Sequence, residues 1–233
     1  MIVWEGTAGA VDNELIFPSL VSIFTSLTDI IQRQDFSSII FHTVIRTGMS
    51  IAVSIVLGVV CSTLSYRYRF FYLLFFPFLT FLKSIPTIAV IILVLIWSST
   101  EMVPFVAAVM ILLPLLYENI LGGIDSIDRD LLKMADIYKV SRKDIIKGIY
   151  VPGVYFFAAP SFPSTAGLAL KVVIAGEVLA QESLSIGGEI FMGKIYLESS
   201  AIFAWIIVVI VINFVLDLGI KYFNKRISRW RKQ

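Results

Sequence analysis

Three ionisable side chains, Lys83, Lys171 and Glu177, interrupt long apolar stretches of this 233-residue sequence. A charged group is costly inside a membrane, so such residues mark a pathway, a gate or a relay by default. We take these three, together with Pro86 beside Lys83, as candidate pathway or gate residues. Lys171 and Glu177 are six residues apart, and about 240° around a helix places them on different faces. Two roles stay open for Glu177: a structural hydrogen bond to a neighbouring helix, and gating or substrate binding.

The patterns of a catalytic centre are absent from the sequence. It contains no HExxH pair and no cysteine cluster, and its single histidine, His42, has no partner nearby in sequence. The segment 188–195 has the spacing of a phosphate loop, but Ile195 stands where the hydroxyl that binds magnesium is required. We therefore predict no catalytic residue, no metal site and no cofactor bound by this chain. A membrane protein without a nucleotide site of its own would have to take energy from a separate ATPase, which would use ATP and Mg²⁺.

The composition indicates that most of the chain lies in lipid. Hydrophobic residues make up 58% and charged residues 15% of the sequence, against about 45–50% and about 25% in soluble domains. This balance predicts an all-α, polytopic membrane protein. No polar stretch outside the apolar runs is long enough to bury a core of its own, so we expect one membrane domain.

Five apolar runs are long enough to cross a membrane, which takes about 20 residues. They are residues 39–65, 70–97, 103–121, 153–181 and 201–223. The second run would be about 42 Å long as one helix, against a hydrocarbon core of about 30 Å. Because Pro77, Lys83 and Pro86 interrupt it, we expect one kinked span. The fourth run is also overlong and is expected to form a short helix followed by the crossing one.

The positive charges predict the orientation of these spans. Fourteen of the nineteen Lys and Arg residues lie in three places, residues 67–69, 129–147 and 221–232. Such clusters are typical of cytoplasmic loops, so the N-terminus is expected outside. Residues 18–31 then form an amphipathic helix on the outer face. Arg46 and Lys83 are expected to extend to the outer surface. Nucleic-acid binding by the basic tail is the rival reading, but juxtamembrane cations are expected anyway, and we predict no nucleic-acid partner.

The one long charged segment between apolar runs is residues 125–152, which must lie in water. Its pattern predicts two short helices joined by a turn. Asp128 is a suitable N-cap for the first, whose apolar residues recur at helical spacing, and Ser141 with Asp144 resembles a capping box for the second. Pro152 is expected to end the second helix. The residues predicted to form a docking surface are Leu131, Leu132, Lys133, Met134, Ala135, Asp136, Tyr138, Lys139, Ser141, Asp144, Ile145, Ile149 and Pro152.

This segment resembles the EAA loop of ABC-importer permeases, in which Glu-Ala-Ala is followed at fixed spacing by Gly and by Ile-x-Leu-Pro. The same positions are filled here by residues 133–135, by Lys139 and by residues 149–152. Lys133 replaces the Glu, Met134 the first Ala, Lys139 the Gly and Val151 the Leu. Further segments are similar to nitrate, sulfonate, taurine and thiamine-precursor permeases. They are residues 15–19, 84–89, 122–125, 175–177 and 185–188.

The resemblance implies a type I ABC importer permease fold of about five transmembrane helices, with an external N-terminus and a cytoplasmic coupling-helix loop. The expected parts are an external segment (1–38), a permease domain (39–223) with its coupling loop (122–152), and a basic cytoplasmic tail (224–233). Many relatives have a further transmembrane helix before Pro18; either this member dispenses with it or the chain starts late.

The same resemblance implies the partners: a cytoplasmic ABC ATPase dimer, a second permease copy forming a homodimer, an external solute-binding protein and membrane lipid. It places the chain in the bacterial inner membrane as a multi-pass importer of a sulfonate, nitrate or thiamine precursor. The alternative is an ion channel or a proton-coupled secondary carrier. That class would need polar rings or acidic relays in the spans. An intramembrane enzyme would need a paired nucleophile and base, which the sequence does not show.

Overall fold

The computed structural model describes residues 17–228, and every regular element in that range is helical. The predicted external segment and basic tail therefore lie partly outside the described residues. The α-helices are α1 (Leu20–Gln32), α2 (Phe36–Arg67), α3 (Arg69–Ser84), α4 (Thr87–Trp97), α5 (Val103–Asp125), α6 (Arg129–Ile137), α7 (Arg142–Ile145), α8 (Val151–Ala158), α9 (Phe162–Ala180), α10 (Ile186–Ile195) and α11 (Ser199–Ser228). Three short turns join some of them, a 3₁₀ turn at Thr100–Met102, a π turn at Ile146–Tyr150 and a 3₁₀ turn at Ala159–Ser161.

Within residues 17–228, four helical segments are long and apolar enough to cross a membrane: residues 36–67, 100–125, 142–180 and 199–227. Helices α3 and α4 are a fifth candidate, because they pass the same test together but are bent by 105°. Leu79 of α3 clusters with Leu121 near one end of α5, and α4 clusters with Val103 and Ala107 at the other end. The bent pair therefore contacts α5 near both of its ends, and counted as one broken crossing it brings the total to the predicted five.

The break in this crossing lies at Ile85 and Pro86. Ile85 has an extended backbone, with φ −76° and ψ 131°, which is the conformation that a following proline favours. Pro86 then caps α4. Pro77 lies within α3 and Lys83 lies in its last turn. Of the three expected interruptions, only Pro86 separates two helices.

The contacts of α2 with α5 show that these two crossings run parallel. Near the middle of α2 and the start of α5, the Ser50 hydroxyl lies 3.5 Å from the Phe105 carbonyl oxygen. Near their ends, the Ser62 hydroxyl donates to the Tyr117 carbonyl oxygen at 2.9 Å. The broken crossing returns between them, so the chain alternates direction as predicted.

Helix α2 has small residues inside and large apolar residues outside. Its buried residues are Ile39, Thr43, Thr47, Ser50, Ser54, Gly58, Ser62 and Ser65. A Cβ added at Gly58 would lie 3.3 Å from Leu116 Cβ of α5. Small residues let helix backbones approach closely where lipid removes the hydrophobic drive for association. The long contact between α2 and α5 is therefore the centre of the bundle.

Helix α1 is the amphipathic helix predicted from the sequence. The Ser19 hydroxyl accepts the Ser22 N–H at 3.1 Å and caps its start. Ile23 and Ile30 are buried, whereas Val21 is exposed. The helix packs mainly against α11, so its buried side joins the bundle.

Candidate functional site

The first helix of the charged segment, α6, is held by a cap at each end. The Asp128 carboxylate accepts the Asp130 N–H at 2.8 Å, as expected of an N-cap. At the other end the Val140 N–H bonds to the Ala135 carbonyl oxygen at 2.9 Å, and the Lys139 N–H bonds to the Asp136 carbonyl oxygen at 3.0 Å. These two bonds form a Schellman motif, which ends a helix sharply.

The Schellman motif places Lys139 in the left-handed region, with φ 52°. This is the position where the resembling permease loops carry glycine. A residue with a Cβ pays about 1–2 kcal/mol to adopt this conformation, and glycine does not. Lys139 therefore adopts a backbone conformation that glycine adopts at lower cost.

Replacing Lys139 by glycine is expected to stabilise the end of α6 by about 1 kcal/mol, because the left-handed strain is removed. Amide exchange at Val140, measured by hydrogen–deuterium exchange, should slow by roughly fivefold, since local opening becomes less favourable. Lys133→Gly is the matched control. It lies within α6 and should speed exchange, because glycine destabilises a helix interior by about 1 kcal/mol. Equal exchange in Lys139→Gly and the parent chain would show that the turn is unstrained.

The second helix begins as predicted but does not end at Pro152. The Ser141 hydroxyl accepts the Asp144 N–H at 3.3 Å and donates to the Asp144 carboxylate at 2.6 Å. The four residues of α7 then continue through the π turn Ile146–Tyr150 into α8, where Pro152 occupies the first turn. Proline has no N–H for the residue four positions back, and the wide turn lies directly before it. The predicted short helix is thus the start of a continuous helical run to Ala180.

The predicted docking residues differ in exposure. Ala135 is 7% exposed because it lies under the Schellman turn, whereas Tyr138 is 75% exposed. Ile137 is 76% exposed and is not among the predicted residues, because it falls outside the apolar stripe that the spacing indicated. The exposed members are Leu131, Lys133, Met134, Asp136, Tyr138, Lys139, Ser141 and Asp144, and the half-buried ones are Leu132, Ile145, Ile149 and Pro152. Three large apolar side chains, Met134, Ile137 and Tyr138, therefore stand in solvent at the end of α6.

A groove of about 460 Å³ lies beside α6. Leu131 lines one side, and Ile149, Pro152 and Phe156 line the other. The segment is tied firmly to the spans, since a Cβ added at Gly123 of α5 would lie only 2.9 Å from the Val154 Cα of α8. A force applied to α6 and α7 would thus reach the two crossings that flank them.

Glu177 is the most deeply buried acid of the candidate set, with 0% exposure. Thr43 of α2 donates its hydroxyl to both carboxylate oxygens at 3.0 Å. Arg46 donates at 3.2 Å, and the Gly187 N–H donates at 3.1 Å. Of the two roles left open for Glu177, the hydrogen bond to a neighbouring helix is observed. We name Thr43, Arg46, Glu177, Glu182 and Gly187 the outer cluster.

Arg46 does not extend to the outer surface as expected. Its guanidinium bridges Glu177 and Glu182, at 3.2 Å and 3.0 Å. The carboxylates lie at the end of α9 and just after it, one turn apart, so one guanidinium reaches both. A buried carboxylate needs such partners to remain charged.

The segment after α9 folds back over this cluster. The Thr43 hydroxyl also accepts the Ile186 N–H at 3.1 Å, so the start of α10 is bonded to α2. Further out, Arg33 pairs with Asp35 at 2.7 Å and with Glu189 of α10 at 2.6 Å. The Arg33 guanidinium lowers the pKa of the Asp35 carboxyl, chiefly through its hydrogen bonds to that carboxylate. The outer end of the bundle is therefore closed by paired charges.

Lys83 also departs from its expected position. Its ammonium lies 2.6 Å from the Glu118 carboxylate, about two turns before the inner end of α5, instead of reaching the outer surface. Pro86 is exposed beside it. Lys171 is exposed on α9, and within residues 17–228 no hydrogen bond or ion pair engages it. The structure thus separates Glu177 from Lys83 and Lys171, which remain accessible.

The sequence model of the family described as "binding-protein-dependent transport system inner membrane component" matches residues 54–229. The chain belongs to this family. It is an ABC transporter permease subunit, a multi-pass protein of the inner membrane with no enzymatic role expected of it.

The names of individual relatives support the same family assignment. It is 24% identical to a chain of Methanocaldococcus jannaschii named as an ABC transporter permease protein, over 100% of its own length and 89% of the relative. It is 21% identical to a Bacillus subtilis chain, SsuC, named as a permease protein for aliphatic sulfonates transport, over 98% and 83% of the two lengths. A crystal structure titled as an amino acid ABC transporter with histidines has the same fold, with a TM-score of 0.64, 13% identity, and 84% and 92% coverage.

Proposed function

We propose that two copies of this permease form the pathway of an ATP-driven importer, and that two cytoplasmic ATPases dock on residues 125–152. An external binding protein delivers the substrate, a small nutrient such as a sulfonate, a nitrate or a thiamine precursor. The ATPases use ATP and Mg²⁺. The sulfonates in the name of the Bacillus subtilis relative support the first of these substrates.

The observation that carries this proposal is the exposed apolar end of α6. Met134, Ile137 and Tyr138 stand on a helix fixed by two caps and are large enough to enter a groove on a soluble partner. Short helices that present apolar anchors to a groove are a recurrent mode of recognition. Basic residues nearby, such as Lys143 and Lys147, guide approach to an acidic rim.

Movement of the ATPases would then reach the spans directly. Helix α5 enters the segment, and the helical run from Arg142 leaves it towards α9. Because both are packed against each other at Gly123 and Val154, the docked segment and its spans move as one unit. This arrangement supports a transporter driven from the cytoplasmic side rather than a channel.

Replacing Ile137 by aspartate is expected to abolish docking, because a buried apolar anchor is worth about 2 kcal/mol or more at an interface centre. The permease would be coexpressed with its ATPase, and copurification and ATP hydrolysis in liposomes would be measured. We expect the amount of bound ATPase to fall by tenfold or more.

The matched control is Ile195→Asp. Ile195 is 57% exposed at the end of α10, which belongs to the opposite end of the bundle. This variant should bind the ATPase normally. If Ile137→Asp binds and couples like the parent chain while remaining folded, the docking surface lies elsewhere and the channel or carrier alternative must be reconsidered.

A further inference from the structure

Lys171 makes no hydrogen bond or ion pair with the residues that the structure describes. It is the tenth of the nineteen residues of α9 (Phe162–Ala180), and therefore lies in the middle of a crossing helix. It is exposed, and no acid or carbonyl oxygen within residues 17–228 pairs with it. Lys83, the other exposed lysine that interrupts an apolar run, is neutralised by an ion pair with Glu118.

Lys171 is too far from the ends of its helix for its ammonium to reach the membrane surface. Nine residues separate it from either end of α9, which is about 14 Å of helix. Lysine side chains reach the interface only from near the ends of a span. An ammonium held at this depth must face water, a ligand or protein, and not hydrocarbon.

The packing of α9 identifies the side on which Lys171 lies. Helix α9 contacts α5 through Ala169, Val172 and Val173, and it contacts α11 through Leu170 and Ile174. Lys171 is on neither of these sides, and Ala175, one turn further on, is only partly covered by the α4 cluster. The exposed stripe of α9 therefore runs alongside α4.

The pair Lys83–Glu118 opens onto the same side. Ile111 of α5 packs both in the α4 cluster and beside Val172 of α9, so it lies where these three helices meet. Glu118 follows Ile111 by seven residues, which is about two turns on the same side of a helix. The same side of the bundle thus carries the Lys83–Glu118 pair towards its inner end and the unpaired ammonium of Lys171 further out.

We propose that Lys171 is the anion-recognition group of the pathway, and that the transported molecule carries a sulfonate, carboxylate or phosphate group. This inference rests on the proposed function. An unpaired ammonium in the middle of a membrane-spanning helix attracts anions and repels cations. Its compact charge suits a small anion that must also leave, whereas a bidentate arginine would hold such a group more rigidly.

The local potential can be measured without knowing the substrate. In a Cys61→Ser background, Ala175→Cys places a thiol one turn from Lys171. The reconstituted complex is treated on both sides with anionic and cationic methanethiosulfonates, the sulfonatoethyl and trimethylammonioethyl reagents. The ratio of their rate constants reports the charge near the thiol. Adding Lys171→Gln should lower the anion-to-cation ratio by about tenfold, the effect of one charge at this distance in a partly screened site.

Two further variants make the measurement specific. Lys171→Arg keeps the charge and should keep the ratio, whereas Lys194→Gln removes an exposed charge of α10 and should leave the ratio unchanged. An unchanged ratio in Lys171→Gln would overturn the anion assignment. Failure of both reagents to react would also overturn it, because the stripe would then lie against lipid or protein. If the ratio falls but Ile137→Asp still couples, the anion site stands and the docking assignment fails.

Discussion

Replacing Glu177 by alanine is expected to destabilise the permease by about 3–5 kcal/mol, the usual cost of breaking a buried ion pair by removing one partner. The change leaves the Gly187 N–H without its acceptor and Arg46 with Glu182 alone. The midpoint of thermal unfolding in detergent should fall by roughly 10 °C.

Two companion variants test the cause of this loss. Glu177→Gln keeps the shape and one acceptor oxygen, so it should cost less, about 1–3 kcal/mol. Glu101→Gln neutralises an exposed acid just before α5, and such surface changes stay within about 0.5 kcal/mol. If the alanine variant melts within 2 °C of the parent chain, the outer cluster does not hold the bundle together.

Gly187→Ala is expected to cost about 3 kcal/mol, at the upper end of overpacking effects. The new Cβ would lie 2.6 Å from the Ile174 carbonyl oxygen and 2.7 Å from the Val178 nitrogen, which are backbone atoms of α9 that cannot turn aside. The start of α10 must then move away, and its hydrogen bond to Glu177 is lost with it. Thermal unfolding in detergent measures the loss.

Gly48→Ala is the matched control, because a Cβ at Gly48 in α2 meets nothing within 4 Å. It should be neutral or stabilise by about 0.5–1 kcal/mol, since alanine favours the helix. The double variant Gly187→Ala with Glu177→Ala should lose less than the sum of the single losses, because both break the same hydrogen bond. Strict additivity would mean that α10 and Glu177 are held independently.

Local features of the charged segment could be predicted from the sequence. Asp128 and Ser141 are short polar side chains before helical stretches, and both cap as expected. The left-handed turn at Lys139 was not evident from its residue type, since lysine has no preference for that conformation. Only the resemblance to loops with glycine there pointed to it.

The partners of Glu177 could not be predicted, because they are far from it in sequence. Thr43 and Arg46 are more than 130 residues away in sequence, and their contact depends on how α2 and α9 pack. Helical spacing could show only that Lys171 is not the partner of Glu177. Likewise, the sequence did not indicate Glu118 as the partner of Lys83. That contact depends on the path of α3, which is set by the break at Pro86.

The helical run from Arg142 to Ala180 has 39 residues, and this continuity has an energetic consequence. One end lies in the docking segment and the other end carries Glu177, so a partner bound at either end acts on the same continuous helical run. Linkage is reciprocal. If a cytoplasmic partner changes the affinity of the outer end for its ligand by some factor, that ligand changes the affinity for the cytoplasmic partner by the same factor. The wide turn at Ile146–Tyr150 lies between the two ends, so the stiffness of this turn sets how large the factor is.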